Sequence, residues 1–144
     1  MIIVADASVL VAELLRHRGR VLLTDPDLDL VVAEEQWNET EHEIARRLDI
    51  IVRQGRMSSE QAEKLSRQIS SLRTERSVEV IPRVFYAHVE IVARRRVPRD
   101  PRDWPTVALA MVLDVPILTG DNDFLGCGCP TWTVETLTEE LKER

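Results

Sequence analysis

The segment between residues 100 and 124 constrains the fold more than any other part of the chain. It contains an almost wholly apolar run, Thr106–Leu113. A helix that is apolar on all sides must be buried on most of its surface, so it must pack against other structure. Asp103 stands at the N-cap position before it, and Pro105 falls early in the first turn, where proline is favoured. The segment therefore predicts a buried helix that begins at an acidic residue.

Further acids follow the same buried helix. The apolar stretch Val115–Thr119 predicts a short strand that ends at Gly120, and Asp121 and Asp123 come just beyond it. Acidic residues thus stand at a helix start and past a strand end, with buried structure between them. Each acid taken alone is typical of a cap or a turn. A functional interpretation therefore depends on whether other carboxylates reach the same place.

The beginning of the chain supplies another acid at the end of a strand. Ile2–Ala5 is short and fully apolar, which indicates a buried strand, and Asp6 follows it directly. The pattern of Ala7–Leu15 then predicts a helix. In open α/β sheets, ligands bind at the carboxyl ends of the strands, which makes Asp6 a candidate site residue. A simple N-cap explains the same aspartate equally well.

Short apolar strands alternate with helical patterns along the rest of the chain. Further strands are predicted at Leu28–Ala33, Val78–Ile81 and Thr131–Val134. Further helices are predicted at Glu34–Arg53, from Ser58 onward with a capping box, at Val84–Arg95 and at Glu135–Lys142. This alternation, within 144 residues, predicts one domain that folds as an α/β sandwich around a parallel sheet.

Two segments between these elements carry more local predictions. Residues Arg16–Arg20 predict a polar turn. The Val84–Arg95 helix should bury Val84, Ala87, His88 and Ile91, with His88 as a packing residue rather than a ligand. The two cysteines lie in one C-x-C pair without a second pair, so the pattern favours a packed loop with incidental thiols over a zinc site.

Composition limits the classes of partner. The net charge of −6 disfavours adhesion to nucleic acid by the whole surface, but it leaves room for a local basic face. The bases are nearly all arginine, which suits bidentate phosphate contacts. No apolar run approaches the roughly 20 residues that span a bilayer. The N-terminus also lacks the features of a signal peptide, so we expect a cytoplasmic protein without a membrane partner.

The long helix after the second predicted strand carries several glutamates. Glu34 and Glu35 lie in its first turn, where acids complement the helix macrodipole without any functional role. Glu39 and Glu43 lie further in and need another reason. That reason is either an ion pair, which Arg47 offers to Glu43 at i+4, or a site.

The acids that reach one sheet edge favour a metal site. Asp6, Asp121 and Asp123 come after strands, and several carboxylates without a basic residue among them would raise one another's pKa. Mg²⁺ or Mn²⁺ prefers oxygen ligands and is often held by a few carboxylates together with a substrate phosphate. Such a site can activate water against a phosphodiester. Walker, G-x-G-x-x-G and G-x-S-x-G motifs are absent, so nucleotide-cradle and serine-hydrolase functions lack their motifs.

The ordered set of these features resembles the PIN-domain nucleases over nearly the whole chain. The most specific part is D-x-x-D-x-P-T-x-A-L-A, starting at Asp100, followed by T-x-D-x-D-F, starting at Thr119. The stand-alone size is similar to that of VapC-like toxins. The resemblance implies a three-layer α/β/α sandwich with a parallel sheet of about five strands. It also implies a Mg²⁺- or Mn²⁺-dependent endoribonuclease.

The resemblance also implies roles for particular residues. It assigns metal binding to Asp6, Asp103 and Asp121, with Asp123 and Ser8 as auxiliary residues. The family also has a catalytic glutamate early in the helix after the second strand, which we call the helix acid. Glu39 fits this position best. Glu43 is the competitor, because this chain has a crowded E-x-E-x-E where the family has one isolated glutamate. Arginines near the acids would hold the flanking phosphates of RNA, with Arg46, Arg99 and Arg102 as candidates. The implied partners are an RNA substrate, an antitoxin protein and a second copy of the chain in a homodimer.

Functions from other classes fit less well. A phosphoacceptor receiver domain also groups acids at strand ends, but it needs a lysine at a late strand end, and neither Lys64 nor Lys142 is so placed. A haloacid-type phosphatase needs D-x-D after the first strand, where this chain has Asp6-Ala7-Ser8. A non-catalytic PIN-like module that binds RNA or protein remains the alternative to the nuclease.

Overall fold

Five strands form one all-parallel sheet in the computed structural model, which describes all 144 residues. The strands are β1 (Ile2–Ala5), β2 (Asp29–Ala33), β3 (Val78–Ile81), β4 (Ile117–Leu118) and β5 (Thr131–Trp132). Their order across the sheet is β3-β2-β1-β4-β5. The last two strands are shorter than predicted, since only two residues of β4 pair with two residues of β5. The last strand also ends early because α7 begins at Val134.

Seven helices cover the two faces of this sheet. They are α1 (Ala7–Leu14), α2 (His17–Leu23), α3 (Glu34–Arg53), α4 (Ser59–Thr74), α5 (Glu90–Arg96), α6 (Trp104–Leu113) and α7 (Val134–Lys142). Successive residues of β1 point to opposite faces of the sheet. Ile3 and Ala5 pack with α1, α3, α4 and α7. Val4 packs in a second core with α5 and α6. The predicted three-layer α/β/α sandwich is confirmed.

Helix α6 is the most deeply buried helix, as its apolar composition predicts. Every residue from Trp104 to Ala110 is buried, and the helix contacts β1, β2 and α5. Burial from Trp104 to Ala110 explains why this part of the helix can lack a polar face, whereas Val112 and Leu113 at its end are 39% and 40% exposed. It also places the residue that precedes the helix, Asp103, beside the carboxyl ends of the central strands.

The predicted polar turn at Arg16–Arg20 is wrong, because α2 already begins at His17. Gly19 lies in the middle of this helix and weakens its intrinsic propensity. A Cβ atom there would lie 2.0 Å from the Glu13 carbonyl oxygen, so the glycine permits direct backbone packing against α1. Tertiary packing of the two helices therefore overrides local propensity.

The predicted helix from Val84 is wrong in its first half and in its buried face. Two short 3₁₀ turns precede α5. Val84 and Ile91 are 77% and 69% exposed, and His88 is exposed as well, although the pattern places all three inward. Tyr86 is buried instead, with its ring centroid 5.7 Å from that of Trp104. Its anchoring against α6 interrupts the helix and changes which side faces the core.

Helix α4 begins at the predicted capping box. The capping box at Ser58 is present, with the Ser58 hydroxyl accepting from the Gln61 backbone N–H and the Gln61 side chain accepting in return. No helix combines the length and the apolar character that a membrane crossing requires.

Candidate active site

Strand register places Asp6 directly beside Thr119. Ala5 of β1 pairs with Leu118 of β4, so the next residue on each strand continues the pairing beyond the sheet. The Thr119 hydroxyl donates to Oδ2 of Asp6 at 2.6 Å and accepts from the backbone N–H of Asp121 at 3.0 Å. One threonine therefore links two acids that are 115 positions apart in sequence. They lie where the strand order reverses, the usual ligand position in open α/β sheets.

Asp6 is the most constrained of the acids. Its Oδ1 accepts from the Val9 backbone N–H at 2.8 Å, and both oxygens lie 3.1 Å from the Ser8 hydroxyl. The N-cap interpretation of Asp6 is therefore confirmed, and the same hydrogen bonds hold the carboxylate in one orientation. Burial raises the pKa of Asp6 above its usual 3.8, while the bonds from Thr119, Val9 and Ser8 oppose that change.

Asp103 precedes α6 as predicted but does not cap it. It is the last residue of a 3₁₀ turn, with φ −79° and ψ 0°, and its side chain makes no capping hydrogen bond. An N-cap side chain needs extended backbone to reach the first helical N–H groups. Oδ2 of Asp103 is buried without any hydrogen-bond partner. This carboxylate is thus held at the sheet edge without a structural bond that explains its position.

The charge state of Asp103 reflects these surroundings. Burial, followed by the nearby charges of Asp100, Asp6, Asp121 and Glu39, raises the pKa of Asp103 to about 7. Four other acids thus act on one carboxyl group. A half-buried acid among like charges is costly to ionise unless a positive group joins it.

Three carboxylates meet closely enough to share one ion. One oxygen each from Asp103, Asp121 and Asp123 lies within 4.8 Å of the others. The Asp123 backbone N–H donates to Oδ1 of Asp121 at 2.8 Å, and buried Phe124 anchors the turn that carries both. Asp6 lies outside this closest group. We call these three residues the acidic cluster. Its oxygen donors, with Oδ2 of Asp103 unpartnered, suit a divalent cation.

The two candidate glutamates on α3 have different surroundings. Glu43 accepts from Nε of Arg46 and from Nε of Arg47, each at 3.1 Å, and these bonds lower its pKa to about 2. Glu39 is exposed and lies in no ion pair, and its charge is one of those that raise the pKa of Asp103. Glu39 therefore keeps a carboxylate without an ion-pair partner, and its assignment as the helix acid stays a prediction.

Comparison with known proteins identifies the family. A family model described as PIN domain matches residues 4–142. The chain belongs to the PIN domain family. The crystal structure of PAE2754 from Pyrobaculum aerophilum is similar, with a TM-score of 0.68 and 20% identity over 98% of this chain and 89% of that chain. At this identity the likeness shows the fold alone. No curated protein sequence matches this chain.

Family membership bears on what the acids of this PIN domain can do. The predicted resemblance is confirmed, and PIN domains are generally metal-dependent nucleases. The acidic cluster lies at the sheet edge where such chemistry requires oxygen ligands. The coarse prediction of a nuclease with a site able to bind metal therefore agrees with both sequence family and geometry.

The three predicted RNA-binding arginines of the PIN domain occupy different positions. Arg46 is engaged in the ion pairs of α3 described above. Nε of Arg102 lies 3.3 Å from Oδ1 of Asp100, and Nη1 of Arg99 lies 3.8 Å from Oδ1 of Asp123. Only Arg99 thus reaches a member of the acidic cluster. The RNA-binding role of all three stays a prediction.

Sequence reasoning missed two residues that organise this PIN domain site. Gln36 is 2% exposed, and its Oε1 accepts from the backbone N–H of Ala7 at 2.9 Å, which joins α3 to the start of α1. Thr119 stands in the recognised motif, but its link between Asp6 and Asp121 appears only in the structure. A buried glutamine next to an apolar stripe leaves no periodic signal, because one polar residue does not change the pattern.

Proposed function

We propose that this protein is a Mg²⁺- or Mn²⁺-dependent endoribonuclease that hydrolyses phosphodiester bonds of RNA. The observation that carries the proposal is the acidic cluster, in which oxygens of Asp103, Asp121 and Asp123 lie within 4.8 Å of one another. A divalent cation there would offset both the mutual repulsion of the carboxylates and the cost of burying Asp103. Membership of the PIN domain family supports the same chemistry.

The residues of the site divide into ligands and supporting groups. Asp103, Asp121 and Asp123 would hold the ion, with Asp6 beside them. Bound Mg²⁺ or Mn²⁺ would supply an activated water and neutralise charge on the phosphate. Thr119 keeps the Asp6 carboxylate oriented through its 2.6 Å hydrogen bond.

Carboxylates are the acid–base groups that this site offers for proton transfer. The three histidines are all exposed, and none belongs to the acidic cluster. Glu39 has no ion-pair partner and lies close enough to affect the pKa of Asp103, so its carboxylate is free to accept a proton at the rim. Glu43 is held by two arginines and is less available.

We further propose that the protein acts in the cytoplasm as the toxin of a toxin–antitoxin pair. The support is the similarity of its motifs to those of the VapC-like toxins. The proposed partners are an antitoxin protein and a second copy in a homodimer. Co-expression with the product of a small neighbouring reading frame, followed by size-exclusion chromatography with light scattering, tests both partners. A monomer that no neighbouring product inhibits would contradict this role.

Cleavage assays test the enzymatic proposal directly. Purified protein is incubated with unpaired and base-paired RNAs, in Mg²⁺ or Mn²⁺ and in EDTA. We expect cleavage of unpaired RNA with metal only, and a loss of about a hundredfold or more in Asp121→Asn. Asp49→Asn, which removes an exposed carboxylate of α3, is the matched control.

The outcomes of this assay separate the candidate functions. Cleavage that persists in EDTA or in an Asp6→Asn/Asp121→Asn double variant would indicate a contaminating nuclease. Salt-sensitive RNA binding without cleavage of any RNA would favour the non-catalytic module instead.

A further inference from the structure

A groove of about 620 Å³ opens beside the acidic cluster. The groove lies between the end of α5 and the loop that follows β4. The lining residues that matter here are Arg95, Arg96, Arg99, Asn122, Asp123 and Leu125. Asp123 belongs both to this lining and to the acidic cluster, so the groove leads directly to the proposed reaction site.

Two of the three arginines of the groove lack acidic partners, unlike the other bases around the site, and the third has one long ion pair with Asp123. Arg94, one position earlier, is bound to Glu90 at 2.9 Å. Arg95 and Arg96 have no carboxylate within 4.0 Å, and Arg99 is 77% exposed with a single contact at 3.8 Å. Bases at a helix C-terminus complement the macrodipole, which explains the three arginines that end α5. It does not explain Arg99, which lies beyond the helix and faces the same groove.

One guanidinium group that lines the groove, that of Arg96, is fitted against the loop behind it. Nη1 of Arg96 donates to the Cys127 carbonyl oxygen at 3.4 Å, and Cys127 is 1% exposed. Gly128 has a φ of +88°, and a Cβ atom on it would lie 2.9 Å from the same nitrogen. A side chain at Gly128 would therefore displace Arg96. The loop and the end of α5 form one fitted wall.

We infer that this groove binds the backbone of unpaired RNA and guides one side of the strand into the acidic cluster. The inference rests on the proposed function, because the reaction that this groove would serve is RNA cleavage at the acidic cluster. Arg95 and Arg99 present planar guanidinium groups that suit phosphate oxygens. Leu125, which is 66% exposed, offers apolar surface to a base. A groove with charged and apolar walls suits a strand whose bases are free, since a duplex hides them.

This assignment changes the predicted set of RNA ligands. Arg46 and Arg102 are occupied by Glu43 and Asp100, whereas Arg99 gains Arg95 and Arg96 as neighbours in one groove. The strand therefore enters from the side of α5 and β4 rather than from the side of α3.

Binding in EDTA tests the groove without cleavage. The probe is a fluorescein-labelled unpaired RNA of about 12 nucleotides, followed by anisotropy at several salt concentrations. The test variant is Arg95→Gln/Arg99→Gln, which leaves the loop contact of Arg96 intact. Arg67→Gln/Arg73→Gln on α4 removes the same charge from two exposed arginines without acidic partners and serves as the matched control.

We expect the groove variant to raise the Kd at least about tenfold, and its salt slope to fall by about 1.4, the value for two lost phosphate contacts. The control should change the Kd less than about twofold. Equal losses in both variants, unchanged binding in the groove variant, or wild-type protein that binds no RNA would overturn the inference. Groove-dependent binding without any cleavage in Mg²⁺ or Mn²⁺ would instead uphold the groove and contradict the proposed function.

Discussion

Replacing Asp103 with asparagine should stabilise the protein when no divalent metal is present. The carboxylate oxygen Oδ2 is buried without a partner, and burial together with neighbouring acids raises the pKa from 3.8 to about 7. At 1.36 kcal/mol for each pH unit, this rise corresponds to roughly 4 kcal/mol of cost in the ionised form. Solvent screening of the partly exposed carboxyl group reduces the recoverable free energy of unfolding to about 1–2 kcal/mol.

The pH dependence of this gain has a defined sign. The pKa is raised in the folded state, so the folded protein binds more protons than the unfolded chain between pH 3.8 and about 7. Stability is therefore lost as the pH rises through that window. The advantage of Asp103→Asn should be full above pH 7, roughly half or less at pH 5, and absent below pH 4.

Thermal and urea unfolding in EDTA at pH 8 and pH 5 measure the effect. We expect Asp103→Asn to raise the Tm by about 3–8 °C at pH 8. Asp49→Asn removes an equal charge from an exposed pair with Arg53 and should stay within about 0.5 kcal/mol of wild type. Added Mg²⁺ should stabilise wild type more than Asp103→Asn. A variant no more stable than this control, or a gain that persists at low pH, would refute the reasoning.

The other predictions concern the residues around the cluster. Glu39→Gln should lower kcat/KM at least about tenfold, or about 1.4 kcal/mol, and Glu43→Gln much less; the reverse order in a cleavage assay would move the helix acid by one turn. Thr119→Val should weaken Mg²⁺ binding in calorimetry because Asp6 loses its 2.6 Å hydrogen bond, and unchanged affinity would contradict that positioning role. Gln36→Leu should lower the free energy of unfolding by about 1–3 kcal/mol, since a buried backbone N–H of α1 loses its acceptor, and an unchanged urea midpoint would disprove this.

The fold could be predicted to a large extent because its signals are local. The apolar run of α6 predicts burial whatever it packs against, and its residues from Trp104 to Ala110 are all buried. The α3 bounds follow from an apolar stripe between Ala33 and Gly55. Predictions failed where packing opposed propensity, as at Gly19, or where one anchored ring, that of Tyr86, interrupted the helical periodicity.

The site could be predicted in its members but not in its geometry. That Asp6 and Asp121 follow strands is a property of the chain alone, since parallel strands bring their carboxyl ends to one edge. How closely the acids approach, and which carboxylate Arg46 and Arg47 occupy, depends on register and on competition between side chains. Sequence patterns contain neither the distances between the acids nor the choice of ion-pair partner.

The sequence by itself thus determined the alternating elements, the buried α6 and the presence of acids at the strand ends, because each depends on a few neighbouring residues. Only the tertiary structure decided that Asp103, Asp121 and Asp123 form the closest group, while Asp6 is tied by hydrogen bonds. The reason is physical: the Thr119 hydroxyl that holds Asp6 lies 113 positions away in the chain, and the register of β1 against β4 decides that the two side chains meet.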